Sequence, residues 1–238
     1  MVDQNLDVLR ANSYPGRGMV IGIDETGRHA VQIYWLMGRS ANSRNRVLSI
    51  DGSRVFTEPA NIALVQDPSL IIYTAMRNNG NTFVVSNGAQ TDGVMDSLNS
   101  EKAFKSRMRS YSYEPDAPNF TPRITGVFAR NWYSQPFLAL HIIRKSEGTT
   151  HSIRCLYSIH GPKSGLGNLI TTYTGDGDPL PSFVGKPLVV PLYGGIDEIA
   201  NCYWTALDQD NRIALAVKFI GLQDSSLDLR VINKYKKV

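Results

Sequence analysis

The sequence predicts an α+β protein, one domain of stacked sheets with helices outside. Three observations predict it. Short apolar stretches recur along the chain and are punctuated by tight-turn dipeptides such as Asp51-Gly52 and Asn79-Gly80. Only two stretches carry a helical period. Pro and Gly gather in Gly175–Gly195 without separating two compositionally distinct halves, and there is no internal repeat or low-complexity linker.

The elements follow in order. Gly18–Ile23 and Ala30–Met37 read as strands joined by a turn at Asp24–Gly27. Arg46–Ile50 and Arg54–Glu58 flank Asp51-Gly52, and Leu70–Asn78 and Thr82–Ser86 flank Asn79-Gly80. After Thr91-Asp92, which can cap a first turn, Val94, Leu98, Phe104 and Met108 predict a helix. Ile124–Arg130, Phe137–Arg144, Ser152–Ile159 and Leu169–Tyr173 read as further strands. Ile196, Ile199, Ala200, Tyr203, Trp204 and Leu207 form one apolar stripe at the i, i+3, i+4, i+7 spacing, bounded by Gly194-Gly195 and by Asp208–Asn211. Its aromatic residues are read as core. Ile213–Gly221 and Leu227–Ile232 complete the strands, and Lys234-Tyr235-Lys236-Lys237 reads as a solvated tail.

Bulk properties narrow the function. With 238 residues, 42% hydrophobic and 19% charged, the chain has the composition of a folded globular protein. No apolar run approaches the roughly 20 residues that span a bilayer. Met1-Val2-Asp3-Gln4-Asn5 lacks the start of a signal peptide, so a cytoplasmic location is expected. Cys155 and Cys202 stand far apart with no CxxC and are expected to be reduced. The net charge of +4 is mild for a nucleic-acid binder, and no nucleic-acid partner is expected. His29, His141, His151 and His160 have no metal-ligand spacing, so no metal is expected. GxSxG, GxxxxGK[ST] and GxGxxG are all absent, and neither ATP nor NAD is indicated as a cofactor.

Three segments carry positive evidence. In Val84-Val85-Ser86-Asn87-Gly88-Ala89-Gln90-Thr91-Asp92 an apolar strand breaks into small polar residues just before a helix, a junction at which backbone N–H groups can approach an anion closely. Taken alone, it is equally an ordinary turn. Arg39, Arg44, Arg46 and Arg54 concentrate positive charge in one short segment, suited to a phosphate ester or to an exposed hairpin rim. The third segment runs from Tyr113-Glu114 to Thr121-Pro122-Arg123-Ile124.

Read together, these segments resemble a known family. Ser86-Asn87-Gly88-Ala89-Gln90-Thr91-Asp92, with Tyr73 upstream, resembles the SNGxxTD core of the archaeal-type IMP cyclohydrolases. Arg39-Ser40 with Asn45-Arg46 resembles the family's RS…NR element, and Tyr113-Glu114 with Thr121-Pro122-Arg123-Ile124 its YE…TPRI element; Thr171-Thr172-Tyr173 is a weaker echo. The order holds over residues 14 to about 190. The chain departs in extra material around Arg144–Leu166, in its C-terminal section and in its opening, Tyr14-Pro15-Gly16-Arg17-Gly18.

The resemblance implies a four-layer αββα sandwich of mostly antiparallel sheets, similar to the N-terminal-nucleophile hydrolases but used without a covalent nucleophile. It implies closure of formyl-AICAR to inosine monophosphate, a purine ribonucleotide as the small-molecule partner, and a homo-oligomer. Glu114 and Tyr73 are then expected to move protons. Arg39 or Arg46 would stabilise the oxygen charge or hold the phosphate, while Asn45, Ser86, Asn87, Gly88, Thr91, Asp92 and Arg123 would bind the nucleotide. Each has a plainer reading: Glu114 as an arginine's partner, Arg123 as an ion-pair member at a strand start, Tyr73 as core. Two alternatives stay open, a non-catalytic purine-nucleotide-binding protein and a hydrolase or cyclase acting on a related amide.

Overall fold

The computed structural model describes residues 2–65, 71–224 and 226–237. It consists of α1 (Val2–Arg10), β1 (Gly18–Ile23), β2 (His29–Met37), α2 (Ala41–Arg44), β3 (Val47–Asp51), β4 (Arg54–Glu58), β5 (Thr74–Asn79) and β6 (Thr82–Ser86). These are followed by α3 (Gln90–Met95), α4 (Glu101–Met108), β7 (Arg123–Ala129), β8 (Phe137–Lys145), β9 (Ser152–His160), β10 (Leu166–Thr171), β11 (Leu188–Pro191), α5 (Ile196–Ala206), β12 (Arg212–Gly221) and β13 (Leu227–Asn233). The strands form a six-stranded sheet, β11-β10-β1-β2-β12-β13, and a seven-stranded sheet, β3-β4-β5-β6-β7-β8-β9, with every named pair antiparallel.

Side-chain alternation decides the layers. Met19, Ile21 and Tyr34 of the first sheet meet Phe83, Val85 and Leu140 of the second in one core between the sheets. The opposite face of the first sheet, with Val20, Ile33 and Trp35, buries Leu6 and Leu9 of α1 and Ile199 and Tyr203 of α5. The outer face of the second sheet packs Val84, Val127 and Phe137 on Val94 of α3 and on Phe104 and Met108 of α4. The expected order of layers, helices–sheet–sheet–helices, is what forms. β2 is buried from Ala30 to Met37 because both of its faces are covered, so its sequence is apolar almost throughout instead of alternating.

Several expectations need correction. The helix expected after Thr91-Asp92 is two helices. The first ends at Met95, and Ser100 caps α4 by accepting from the Ala103 amide, so Leu98 lies between the helices. Ala89, not Thr91 or Asp92, occupies the cap position of α3. The strand expected over Leu70–Asn78 begins at Thr74, and Leu70 itself lies outside the described residues. α1, which buries Leu6 and Leu9 on one face, and the short edge strand β11 were not among the expected elements. The expected solvated tail is anchored: Lys234 Nζ donates to the Gln209 and Asp210 carbonyls, Tyr235 packs against the inter-sheet core, and Lys237 pairs with Glu58 at 2.9 Å. Among the described residues, no helix is long and apolar enough to cross a membrane.

Candidate functional site

A cavity of about 310 Å3 opens at one end of the sandwich, where the segment before β1, the β2–α2 connection and the loop before β7 converge. Among its walls is Arg17, which was not among the expected site residues. The backbone at Arg17 is tightly held. Gly16 adopts φ +71°, and a Cβ there would strike Thr172 and Tyr173; a Cβ on Gly18 would strike the Trp35 ring. The Thr172 amide donates to the Arg17 carbonyl at 2.8 Å, and the Arg17 amide donates to Thr172 Oγ1 at 3.1 Å.

From this fixed backbone the guanidinium grips Glu114 with both arms, Nη2 donating to Oε2 at 2.8 Å and Nη1 to Oε1 at 3.3 Å. Nη1 also donates to the Asn87 carbonyl at 3.3 Å. The Glu114 side chain is 3% exposed and that of Arg17 11%. Burial works against the Arg17 charge, but the Glu114 carboxylate together with the Tyr73, Tyr34 and Tyr173 phenols outweighs it, and Arg17 is held protonated well above its ordinary value. Glu114 is itself positioned by its amide, which donates to the Thr121 carbonyl at 2.9 Å. Asp116 closes the same loop by accepting from the Thr121 amide at 2.7 Å and from its hydroxyl.

The Ser86–Asp92 junction lies behind this pair. Ser86, Asn87 and Thr91 are fully buried and do not line the cavity. Ser86 and Thr91 bond hydroxyl to hydroxyl. Asn87 Nδ2 donates to the Pro122 carbonyl at 2.9 Å, and Asn87 Oδ1 accepts from the Ile124 amide at 2.8 Å, which pins the start of β7. Gly88 leaves room: a Cβ there would lie 2.7 Å from Arg123 Nη1, 2.8 Å from Gln90 Oε1 and 3.3 Å from Glu114 Oε1. Arg123 thereby reaches Gln90 at 2.8 Å and comes within 3.8 Å of Glu114. Asp92 faces elsewhere, accepting from Thr74 at 2.9 Å and pairing with Arg77 at 3.0 Å.

The early arginine segment divides. Arg39 and Arg46 reach the cavity, whereas Arg44 and Arg54 do not line it. Arg39 is 39% exposed; it pairs with Asp176 and stacks over Tyr14 at 4.9 Å. Arg46 is buried, with Nε donating to the Ser43 carbonyl at 2.8 Å and Nη2 to that of Met37 at 3.0 Å. Asn45 does not line the cavity; it clamps the backbone of Asn61, donating at 2.8 Å and accepting at 2.7 Å. Tyr173 stacks on Tyr14 with centroids 6.1 Å apart and bonds the Thr121 hydroxyl, and burial raises its phenol to about 12.

Tyr73 lies in the core between the sheets, 6% exposed, its hydroxyl 2.6 Å from that of Tyr34. Neither Tyr73 nor Tyr34 lines the cavity; both lie close enough to Arg17 to act on it electrostatically. Among the described residues, no three His, Cys, Asp or Glu side chains gather as metal ligands. His141 is a core residue edge-on to Phe104, and burial lowers its imidazole to about 4.

The site thus combines a buried carboxylate, a buried guanidinium with N–H donors to spare, neighbouring phenols and a half-exposed arginine at the mouth. Such a set can bind an anion and move protons inside an enclosed space. Arg17 could have been sought from the glycines on either side of it, which mark a backbone in close contact; Tyr34 has no local mark at all.

The sequence pattern of the IMP cyclohydrolase-like proteins matches residues 14–224 of this chain. An IMP cyclohydrolase of Methanococcus aeolicus is 28% identical over 138 residues, which cover 56% of this chain and 67% of that protein.

Proposed function

The chain belongs to the IMP cyclohydrolase-like family, and from that premise we propose that its cavity closes the second purine ring, converting formyl-AICAR to inosine monophosphate and water. The observation that carries this reading is the buried Arg17–Glu114 pair in the cavity wall. Ring closure within one molecule needs orientation more than a covalent nucleophile, and a rigid pocket that selects the folded conformer supplies much of the acceleration.

Arg39, at the mouth with Ser40 and Ser43, suits the 5′-phosphate. Arg17 suits the reacting end. Three hydrogen bonds to Glu114 and Asn87 leave part of its five-donor fork free for the formyl oxygen. In the first step the carboxamide nitrogen attacks the formyl carbon. The carbonyl π pair moves to oxygen, Glu114 takes a proton from the attacking nitrogen, and Tyr73 gives one to the oxygen. In the second step the C–O bond breaks, water leaves with the proton from Glu114, and the former formamide nitrogen returns its proton to Tyr73. Both residues end as they began.

The test is direct. Purified protein given formyl-AICAR, without added metal or nucleoside triphosphate, should develop the hypoxanthine absorbance. Glu114→Gln should lower kcat by about 10²- to 10⁴-fold, the range for a positioned proton-transfer group. Wild-type turnover in that variant removes Glu114 from the mechanism. Tight inosine monophosphate binding with no turnover by the wild type makes the protein a nucleotide binder instead.

A further inference from the structure

We propose that Tyr34 is a positioning residue of this site, one that orients the Tyr73 hydroxyl as proton donor and holds the oxygen left behind when the proton is given up. The inference rests on the ring-closing reading above and deepens it, because it explains how a phenol in an apolar core can donate and then recover a proton.

Tyr34 sits mid-way along β2 on the face turned to the other sheet, with no exposed surface. Its register partners, Met19 on β1 and Ala216 on β12, bring no polar side chain to its hydroxyl. The bond to Tyr73 at 2.6 Å is short for a pair of hydroxyls and links β2 to the residue just before β5, across the sandwich. Two phenols in one such bond carry two protons but only one shared donor direction. Either Tyr34 donates and Tyr73 has a proton to aim elsewhere, or the reverse.

Depth distinguishes the two phenols. Tyr34 is the deeper phenol, and Tyr73 keeps the small exposed fraction. Burial first, and Tyr73 second, hold Tyr34 protonated well above the ordinary range, although Arg17 and Arg46 pull the other way. Either hydroxyl could donate in this bond; in the proposal it is the deeper one, Tyr34, which leaves the Tyr73 proton available.

The charged groups that act on Tyr34 are Arg17 from the segment before β1 and Arg46 from the segment after α2; Glu114 and Tyr173 in turn act on Arg17. When Tyr73 gives its proton to the substrate oxygen, its own oxygen becomes an anion that accepts the Tyr34 hydroxyl and lies beside the Arg17 cation. The proton comes back from the substrate nitrogen in the second step, so no other acid or base is required.

The experiment compares the wild type with Tyr34→Phe, Tyr73→Phe and the double variant, recording kcat and KM against pH with formyl-AICAR and a thermal melt for each protein. Phenylalanine fills the same space as tyrosine, and the melt and near-ultraviolet dichroism establish that each variant folds. In Tyr34→Phe, kcat should fall about tenfold with KM within about twofold. The basic limb of kcat should move up by about one pH unit, as expected when one hydrogen bond to the anion is lost. The double variant should match Tyr73→Phe, because Tyr34 acts only through Tyr73.

An unchanged kcat profile in Tyr34→Phe, with or without a lower melting point, leaves Tyr34 structural and overturns the proposal while the ring-closing reading stands. A further tenfold loss on adding Tyr34→Phe to Tyr73→Phe also overturns it, since Tyr34 would then act elsewhere. No turnover by the wild type overturns the ring-closing reading and this inference with it.

Discussion

Replacing Arg17 by methionine tests whether the buried pair organises the site. The side chain keeps most of its length and apolar contact but loses its charge, leaving Glu114 with 3% of its side chain exposed and only Arg123, at 3.8 Å, as a cationic neighbour. Removing one member of a buried ion pair costs about 3–5 kcal/mol, because the other charge stays behind without compensation. The Arg123 contact places this case near the lower end. For a chain of this size, each kcal/mol moves Tm by roughly 2–4 °C, so Arg17→Met should melt about 6–12 °C lower. Glu114→Gln should also destabilise, since it strands the Arg17 cation. The double variant buries no unpaired charge, and replacing both members of such a pair is often close to neutral. The two single effects should therefore fail to add by at least about 2 kcal/mol in urea or thermal unfolding, well beyond the roughly 0.5 kcal/mol scatter of independent sites. Additive losses would refute the claim that Arg17 and Glu114 stabilise the fold as a pair.

Two further outcomes are expected. Gly88→Ala places a methyl group against the Arg123 tip and against Gln90, which is fully buried and hydrogen-bonded; it should cost about 1–3 kcal/mol of stability and lower turnover at least tenfold as Arg123 and Glu114 shift, and unchanged turnover would refute this. Lys218 is fully buried on β12 with its Nζ donating to the Ser53 carbonyl at 2.6 Å, and burial lowers it to about 8 from an ordinary 10.5. Between those values the unfolded chain binds the extra proton, so stability should rise with pH across that window, by at most roughly 3 kcal/mol. Lys218→Met should flatten the slope, read from urea melts at several pH values; the same slope in the variant would assign it to another group.

The fold was legible where local signals and burial agree. Asp51-Gly52 and Asn79-Gly80 marked two hairpins of the second sheet, and the apolar run of β2 is long because helices cover one side and the other sheet covers the opposite one. The break between α3 and α4 was missed because Leu98 continued the apolar spacing while the capping role of Ser100 went unread. In the site, Glu114, Arg39 and Arg46 could be named because short motifs surround them, and all three line the cavity. Arg17 carried only the hint of its flanking glycines, because its importance lies in a contact across nearly a hundred residues of sequence. Tyr34 reads like Trp35 beside it, and only the crossing of the two sheets gives its hydroxyl a partner. The Ser86–Asp92 junction shows the converse. It was conspicuous as a place for a ligand, yet its buried groups bond one another and the start of β7, and what it offers the site is the Asn87 carbonyl that accepts from Arg17 and room for Arg123 beside Gly88.

The plain and the functional readings of Glu114 are not competitors in this geometry. Its carboxylate is an arginine's partner and a wall of the cavity at once, so loss of activity in a single variant does not say which property mattered. The Arg17→Met, Glu114→Gln double variant does. If the pair serves only as scaffold, restoring stability by neutralising both charges should restore turnover, since the cavity walls keep their volume. If Glu114 moves the proton and Arg17 meets the developing oxygen charge, the double variant should unfold close to the wild-type midpoint and still lose at least about 10²-fold in kcat. Stability and activity then part company in one protein, and recovery of both together would assign the pair to the fold alone.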